Sequence, residues 1–220
     1  MMKFLDRRDA GQRLAVLLED SVGGDRHGDK PVVVGMARGG VPVAFEVAHA
    51  LGAPLDVVVV RKLGHPRQPE LGLGAIAEDG VRVVNAELTQ QLGVTEDMID
   101  AIAAQEATEL VRRLHAYRGD RPPVPVDGRT AIVVDDGLAT GFTARAAVEV
   151  MHSRGAARVV LAVPVAPPGA VAALRGVADD VVCVETTERF FGISEWYGDF
   201  HQVSDEEVAR LLAQASTGAS

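Results

Sequence analysis

What most restricts the fold of this chain is a succession met at two places, without sequence repetition: a short run of β-branched residues, a glycine-bearing loop, and a stretch with helical spacing. Ala131 to Thr143 reads AIVVDDGLATGFT and runs on into ARAAVEVM. Ala131 to Val134 is a buried-strand signal, and two carboxylates, Asp135 and Asp136, end it. Gly137, Ala139, Thr140, Gly141, Phe142 and Thr143 then form a largely small-residue loop leading into a helix. The same succession occurs upstream. PVVVGM (Pro31 to Met36) is followed by Ala37-Arg38-Gly39-Gly40 and by VPVAFEVAHALG, where Val41, Ala44, Phe45, Ala48 and Leu51 recur at helical spacing. Strands that alternate with helices through right-handed crossovers build a mostly parallel, doubly wound α/β sheet covered on both faces. Such sheets bind ligands beyond the carboxyl ends of their strands, where the strand order reverses.

The chemistry of the two loops is specific. A loop between a strand's carboxyl end and a helix's amino end offers free backbone N–H groups and the positive end of the helix dipole, so it seats a phosphate. The hydroxyls of Thr140 and Thr143 add to that seat. Asp135 and Asp136 are acceptor-only groups suited to a pair of vicinal hydroxyls or a hydrated Mg²⁺. Together these groups describe a site for a ribose 5-phosphate. In the upstream loop the glycines allow close approach to an anion, with Arg38 as a fixed cation beside them. A dinucleotide fold would need G-x-G-x-x-G and an acid ending the next strand. Here the glycines are Gly35, Gly39 and Gly40, and the next strand, Leu55 to Val60, ends in Arg61-Lys62. NAD binding is disfavoured.

Composition narrows the class further. The net charge of −9, without a basic run, argues against a nucleic-acid partner. No apolar run reaches membrane-spanning length and the first residues lack the apolar centre of a secretion signal, so no membrane partner and a cytoplasmic location are expected. Cys183 is the only cysteine, which rules out an intramolecular disulfide.

Other segments fill out the pattern. A leading helix is expected over Asp6 to Glu19, with Leu14, Leu17 and Leu18 on its apolar side. HPRQPELGLG (His65 to Gly74) reads as a loop. GAIAEDGVRVVN reads as two strands around the turn Glu78-Asp79-Gly80. Thr95 to Arg118 is helical, with Met98, Ile102, Leu110, Leu114 and Tyr117 near one stripe, acids at its start and arginines at its end. VVLAVPVA and DDVVCVET read as strands, and SDEEVARLLAQ as a closing helix capped by Ser204.

VVDDGLATGFT resembles, at every polar position, the phosphoribosyl-diphosphate (PRPP) motif of the type I phosphoribosyltransferases. The chain is also similar to predicted bacterial phosphoribosyltransferases with a leading FxDRxxAGxxLA segment, here FLDRRDAGQRLA. The resemblance implies a single domain over 1–220, with a core at about 31–84 and 129–184. It implies a small helical hood formed by about 85–118 with the C-terminal segment 185–214. Ala37, Arg38, Gly39 and Gly40 would hold pyrophosphate, with a non-proline cis peptide near Ala37–Arg38 or Arg38–Gly39. Arg61 and Lys62 would open a mobile lid, and Gly137 and Ala139 to Thr143 would grip the 5-phosphate. Asp135 and Asp136 would hold the ribose hydroxyls and Mg²⁺, with Arg38 and Lys62 assisting departure of pyrophosphate.

The implied activity is transfer of the phosphoribosyl group of PRPP to an unidentified nitrogenous acceptor, in a homodimer. Phe190, Phe191 and Trp196, then Tyr197, are candidates to stack on that acceptor, with core packing as their alternative role. Glu78 reads as a turn acid or a base, and His65 and His201 as loop histidines. Members acting on 6-oxopurines carry an aspartate where this chain has Ala139, and VLAVPVAPP contains no lysine to meet a 6-oxo group. Hypoxanthine and guanine are therefore expected to be poor acceptors. A PRPP-binding regulator and a PRPP or nucleotide hydrolase remain open as other classes.

Overall fold

The computed structural model describes residues 4–22 and 30–217. In chain order its elements are α1 (Arg7–Val22), β1 (Val32–Met36), α2 (Gly40–Leu51), β2 (Leu55–Val58), β3 (Val60–His65), β4 (Gln68–Ala77) and β5 (Arg82–Val84). They continue with α3 (Ala86–Gln91), α4 (Glu96–Arg118), β6 (Thr130–Val134), α5 (Phe142–Ser153), β7 (Arg158–Ala166), α6 (Pro168–Leu174), β8 (Asp180–Thr186) and α7 (Asp205–Thr217).

Five strands form one parallel sheet in the order β2-β1-β6-β7-β8. From β1 the chain winds one way to β2 and the other way to β6, so the order reverses between β1 and β6. Both glycine loops leave the sheet at that reversal. All five residues of β1 and of β6 are buried, because helices cover both faces of the sheet. Alternation then sorts the side chains. Val32, Val34 and Val133 pack with α5 on one face, whereas Val33, Ile132 and Val134 pack with α1, α2 and α7 on the other.

A second, antiparallel sheet of order β3-β4-β5 follows β2 directly. Leu63, Leu73 and Ile76 on one face pack on Ile99 and Ala103 of α4, while Ala75, Ala77 and Val83 join the cluster around α5. The small sheet is thus held between two helices. Here the expectation for His65 to Gly74 is corrected: the segment is most of a β-hairpin turning at Pro66-Arg67, not a loop. Its glycines mark close strand approach. A Cβ at Gly64 would lie 2.6 Å from the Pro69 carbonyl oxygen, and one at Gly74 would lie 2.1 Å from that of Val83. The strand expected over Leu55 to Val60 also divides, since β2 ends at Val58 and Val60 opens β3.

The helices match their sequence signals, with local exceptions. Thr95 caps α4 by accepting the Met98 N–H, and Ser204 caps α7 by accepting that of Glu207. Leu17 and Met98 are exposed rather than core-facing, and Ile99 is the buried residue at the start of α4. α4 lies along the antiparallel sheet and against α7. No helix among the described residues is long and apolar enough to cross a membrane.

Candidate functional site

The two loops meet. From β1 the chain passes through a cis Ala37–Arg38 peptide into Gly39 and Gly40, at one of the two positions that the family resemblance implied. A Cβ at Gly39 would fall 2.1 Å from Asp136 Oδ2, and one at Gly40 would fall 2.4 Å from the Val134 carbonyl oxygen. Only glycine allows the first loop to lie this close to the end of β6. In the second loop Gly141 precedes α5 with a φ of 79°, a left-handed conformation that suits glycine. Leu138 donates its N–H to the Val165 carbonyl at 2.9 Å, and a Cβ at Gly137 would crowd Ile193 and Val165. Ala139 and Thr140 are exposed, while Phe142 and Thr143 open α5 half-buried. The first turn of this twelve-residue helix therefore faces the same end of the sheet as Asp135 and Asp136.

The paired carboxylates are not equivalent. Asp136 is buried, and its Oδ2 accepts a hydrogen bond from Arg7 Nε at 2.9 Å. Its carbonyl oxygen accepts the Tyr197 hydroxyl at 2.6 Å. Asp135 is half-buried and accepts the Asp136 N–H at 2.9 Å. Burial pushes the Asp135 carboxyl well above the usual range, and the neighbouring charge of Asp136 adds to this. Burial also raises Asp136, partly countered by the Arg7 guanidinium. The pair is thus a concentration of oxygen donors whose charged form a cation or hydroxyl donors would favour. Among the described residues no set of three or more His, Cys, Asp or Glu converges on one point, so a metal here would draw further ligands from substrate or water.

A cavity of about 350 Å³ opens beside Asp136, lined by Arg7, Arg38, Gly39, Phe200, His201 and Val203 among others. Arg38 stands 3.7 Å from Asp205, which is itself fixed by the Tyr117 hydroxyl at 2.6 Å and by Arg112 at 3.1 Å. The structure does not bring Arg61 and Lys62 to this cavity. Both lie in β3, where they line a separate cleft of about 490 Å³ between the hairpin and α4. Arg61 is paired with Glu106 at 2.7 Å.

The acceptor candidates divide as well. Phe190 and Trp196 pack around Phe4, Val165 and Tyr197, whereas Phe191 is 84% exposed. Glu78 is buried between Arg118 and Arg154 at 2.7 Å from each, a structural setting rather than that of a base. His65 ends β3, and His201 is exposed beside Asp199 and Glu207.

Sequence reasoning gave no site role to Arg7, although the segment FLDRRDAGQRLA carried the signal. Phe4 bridges to Tyr197, its N–H donating to the Trp196 carbonyl at 2.9 Å. Asp6 accepts the Asp9 N–H at 2.8 Å at the start of α1. Gly11 lets α1 touch α2, since a Cβ there would meet the Val43 carbonyl oxygen at 2.7 Å. These contacts deliver Arg7 to Asp136. Residues 4–7 and 193–203 therefore enclose one side of the site, while α4 covers the antiparallel sheet.

Comparison with known proteins identifies the family of the chain. The model of the phosphoribosyl transferase domain matches residues 5–197. A Mycobacterium tuberculosis H37Rv protein, provisionally named a phosphoribosyl transferase, is 49% identical over 215 residues, which is 98% of this chain and 47% of the relative. The chain thus spans about half the length of the curated relatives it matches. The crystal structure of TT1426 from Thermus thermophilus is similar with a TM-score of 0.81 and 41% identity, covering 97% of this chain and 99% of that one.

Proposed function

This chain belongs to the phosphoribosyl transferase domain family, and we propose that it transfers the 5-phosphoribosyl group of PRPP to a nitrogenous acceptor, releasing pyrophosphate. One observation carries the reading: Gly39 of the first loop lies against Asp136 of the second where the strand order reverses. An anion-accepting glycine loop, a carboxylate pair and a helix N-terminus then lie along one edge, in the order pyrophosphate, ribose and 5-phosphate require.

The chain's own groups divide the work. The N–H groups opening α5, with Thr140 and Thr143, hold the 5-phosphate and fix the ribose. Asp135 and Asp136 accept hydrogen bonds from the ribose hydroxyls and orient C1 toward the acceptor. As the bond from C1 to pyrophosphate breaks, positive charge develops on the sugar, and the nearby carboxylates stabilise it. Arg38 and the N–H groups of Gly39 and Gly40 receive the charge that builds on the leaving pyrophosphate. The donor set of Asp135 and Asp136 fits Mg²⁺, a hard cation held by one or two carboxylates together with substrate oxygens. When bound, the ion would neutralise charge on the leaving group. Because Asp136 Oδ2 is engaged by Arg7, Asp135 is the freer ligand.

Ala139 offers no carboxylate to an acceptor ring, and β7 carries no lysine. Hypoxanthine or guanine would therefore bury polar ring groups without charged partners, costing roughly 1–3 kcal/mol per unsatisfied group. The test is incubation of the protein with PRPP, Mg²⁺ and a panel of nucleobases and small amines, following pyrophosphate. Acceptor-dependent release, with hypoxanthine and guanine among the slow acceptors, is expected. Release without any acceptor would indicate a hydrolase, and PRPP binding without release a sensor. An Asp135→Asn/Asp136→Asn protein that binds PRPP as tightly as the parent would refute the assignment of the site.

A further inference from the structure

Arg7 is hard to explain as a contribution to stability. It occupies the first position of α1, where a cation opposes the helix dipole. It is 7% exposed, so its charge has been withdrawn from water. A buried ion pair of this kind is often no more stable than a packed apolar substitute, because desolvation offsets the attraction. Yet the guanidinium is held on three sides. Nε donates to Asp136 Oδ2 at 2.9 Å and Nη1 to the His201 carbonyl at 2.8 Å, and the guanidinium carbon stands 3.9 Å from the centroid of the Phe200 ring. Its partner is one of the two carboxylates of the site, and both residues line the same cavity.

We propose that Arg7 is a positioning residue: by holding Oδ2 of Asp136, it fixes the carboxylate so that Oδ1 meets a ribose hydroxyl. This rests on the reading of the site as a phosphoribosyl site. The Asp136 carboxylate is held directly by Arg7 at Oδ2, a position open to that oxygen only because Gly39 beside it has no side chain, and the Tyr197 hydroxyl pins the backbone from which the side chain springs. An aspartate side chain otherwise exchanges rotamers readily, and an oriented acceptor recognises a hydroxyl better than a rotating one because less freedom is lost on binding. The segment 4–7, outside the two motif loops, thereby determines how well one of them reads the sugar. Arg7 does so through Asp136 and contributes little to the grip on the phosphate, which belongs to α5.

The test compares PRPP with tetrahydrofurfuryl phosphate, which keeps a five-membered ring and a phosphate but has no ring hydroxyl. Arg7→Gln is expected to weaken PRPP binding at least about tenfold while leaving tetrahydrofurfuryl phosphate within about twofold of the parent. Arg7→Lys keeps the charge without the planar fork and should fall between, at about threefold. In an Asp136→Asn background, Arg7→Gln should cost almost nothing more, because the two residues act as one unit. Unchanged PRPP affinity in Arg7→Gln, an equal loss for both ligands, or additive losses in the double variant would each overturn the proposal. If Arg7→Gln does not fold, Arg7→Lys decides alone, and an unchanged affinity overturns it. A parent protein that binds no PRPP overturns the phosphoribosyl reading as well, whereas a parent that binds it while Arg7 variants do also removes only the role given to Arg7.

Discussion

Replacing Arg118 with Met should destabilise the fold by about 3 kcal/mol, for reasons that can be followed atom by atom. Arg118 closes α4 and inserts between β2 and the turn after β4. Its Nε reaches Asp56 Oδ1 at 2.9 Å, its Nη1 reaches Glu78 Oε2 at 2.7 Å, and its Nη2 donates to the Val57 carbonyl. The side chains of Arg118, Asp56 and Glu78 are 9%, 9% and 3% exposed. Removing one partner from a buried pair costs about 3–5 kcal/mol, because the charge left behind has lost both water and counter-charge. The lower end applies because neither acid is stranded. Glu78 keeps Arg154 at 2.7 Å, and Asp56 keeps the N–H groups of Val57 and Val124 at 2.8 and 2.9 Å. For a chain of this size the loss corresponds to a fall in Tm of about 6–12 °C. Urea and thermal unfolding would measure it, with Arg145→Met, which removes an exposed pair, as a control expected to leave Tm unchanged. A Tm within 2 °C of the parent for Arg118→Met alone would refute the reasoning, roughly the shift expected from noise and minor repacking.

Two further outcomes follow from the site and the sheet. Gly39→Ala would place a methyl 2.1 Å from a carboxylate that Arg7 holds in place, so overpacking of about 1–3 kcal/mol is expected together with weakened PRPP binding; calorimetry showing parental affinity would contradict the close loop contact. Burial pushes the Cys183 thiol up to about 11, so at pH 8 only on the order of one molecule in a thousand carries the thiolate; iodoacetamide should label it slowly until the pH rises toward 11 or the protein unfolds, and rapid labelling of the folded protein at pH 8 would contradict the burial.

The parts of this molecule that were legible in its sequence are those in which neighbours along the chain determine one another. The strand ending in Asp135-Asp136, the loop closing on Gly141 and the helix behind it follow from a dozen consecutive residues. The parallel order was readable because strands and helices alternate. The hairpin β3/β4 was hidden because Pro66, Pro69, Gly72 and Gly74 look like loop punctuation. In the structure Gly74 and Gly64 permit close backbone approach between strands, which depends on a partner that composition does not reveal. Leu17 and Met98 were assigned to the wrong sides of their helices for a similar reason, since one residue's shift around a helix turns a side chain by about 100° and only packing settles which stripe is covered. Arg7 was beyond local reasoning altogether. Its partner lies 129 positions away, and an arginine at a helix start gives no sign of which carboxylate it will meet.

The bridge between Phe4 and Tyr197 also has a consequence for how the site comes into being. The links from Arg7 to Asp136 and from Tyr197 to Asp136 close loops of 129 and 61 residues, among the most expensive contacts to form early in folding. The nested strands and helices between them can gather from nearer neighbours first. The enclosure of Asp136 would then be completed late, when residues 4–7 and 193–203 are brought together from opposite ends of the described fold. A folding intermediate could therefore possess the parallel sheet and both glycine loops yet leave the aspartate unclamped.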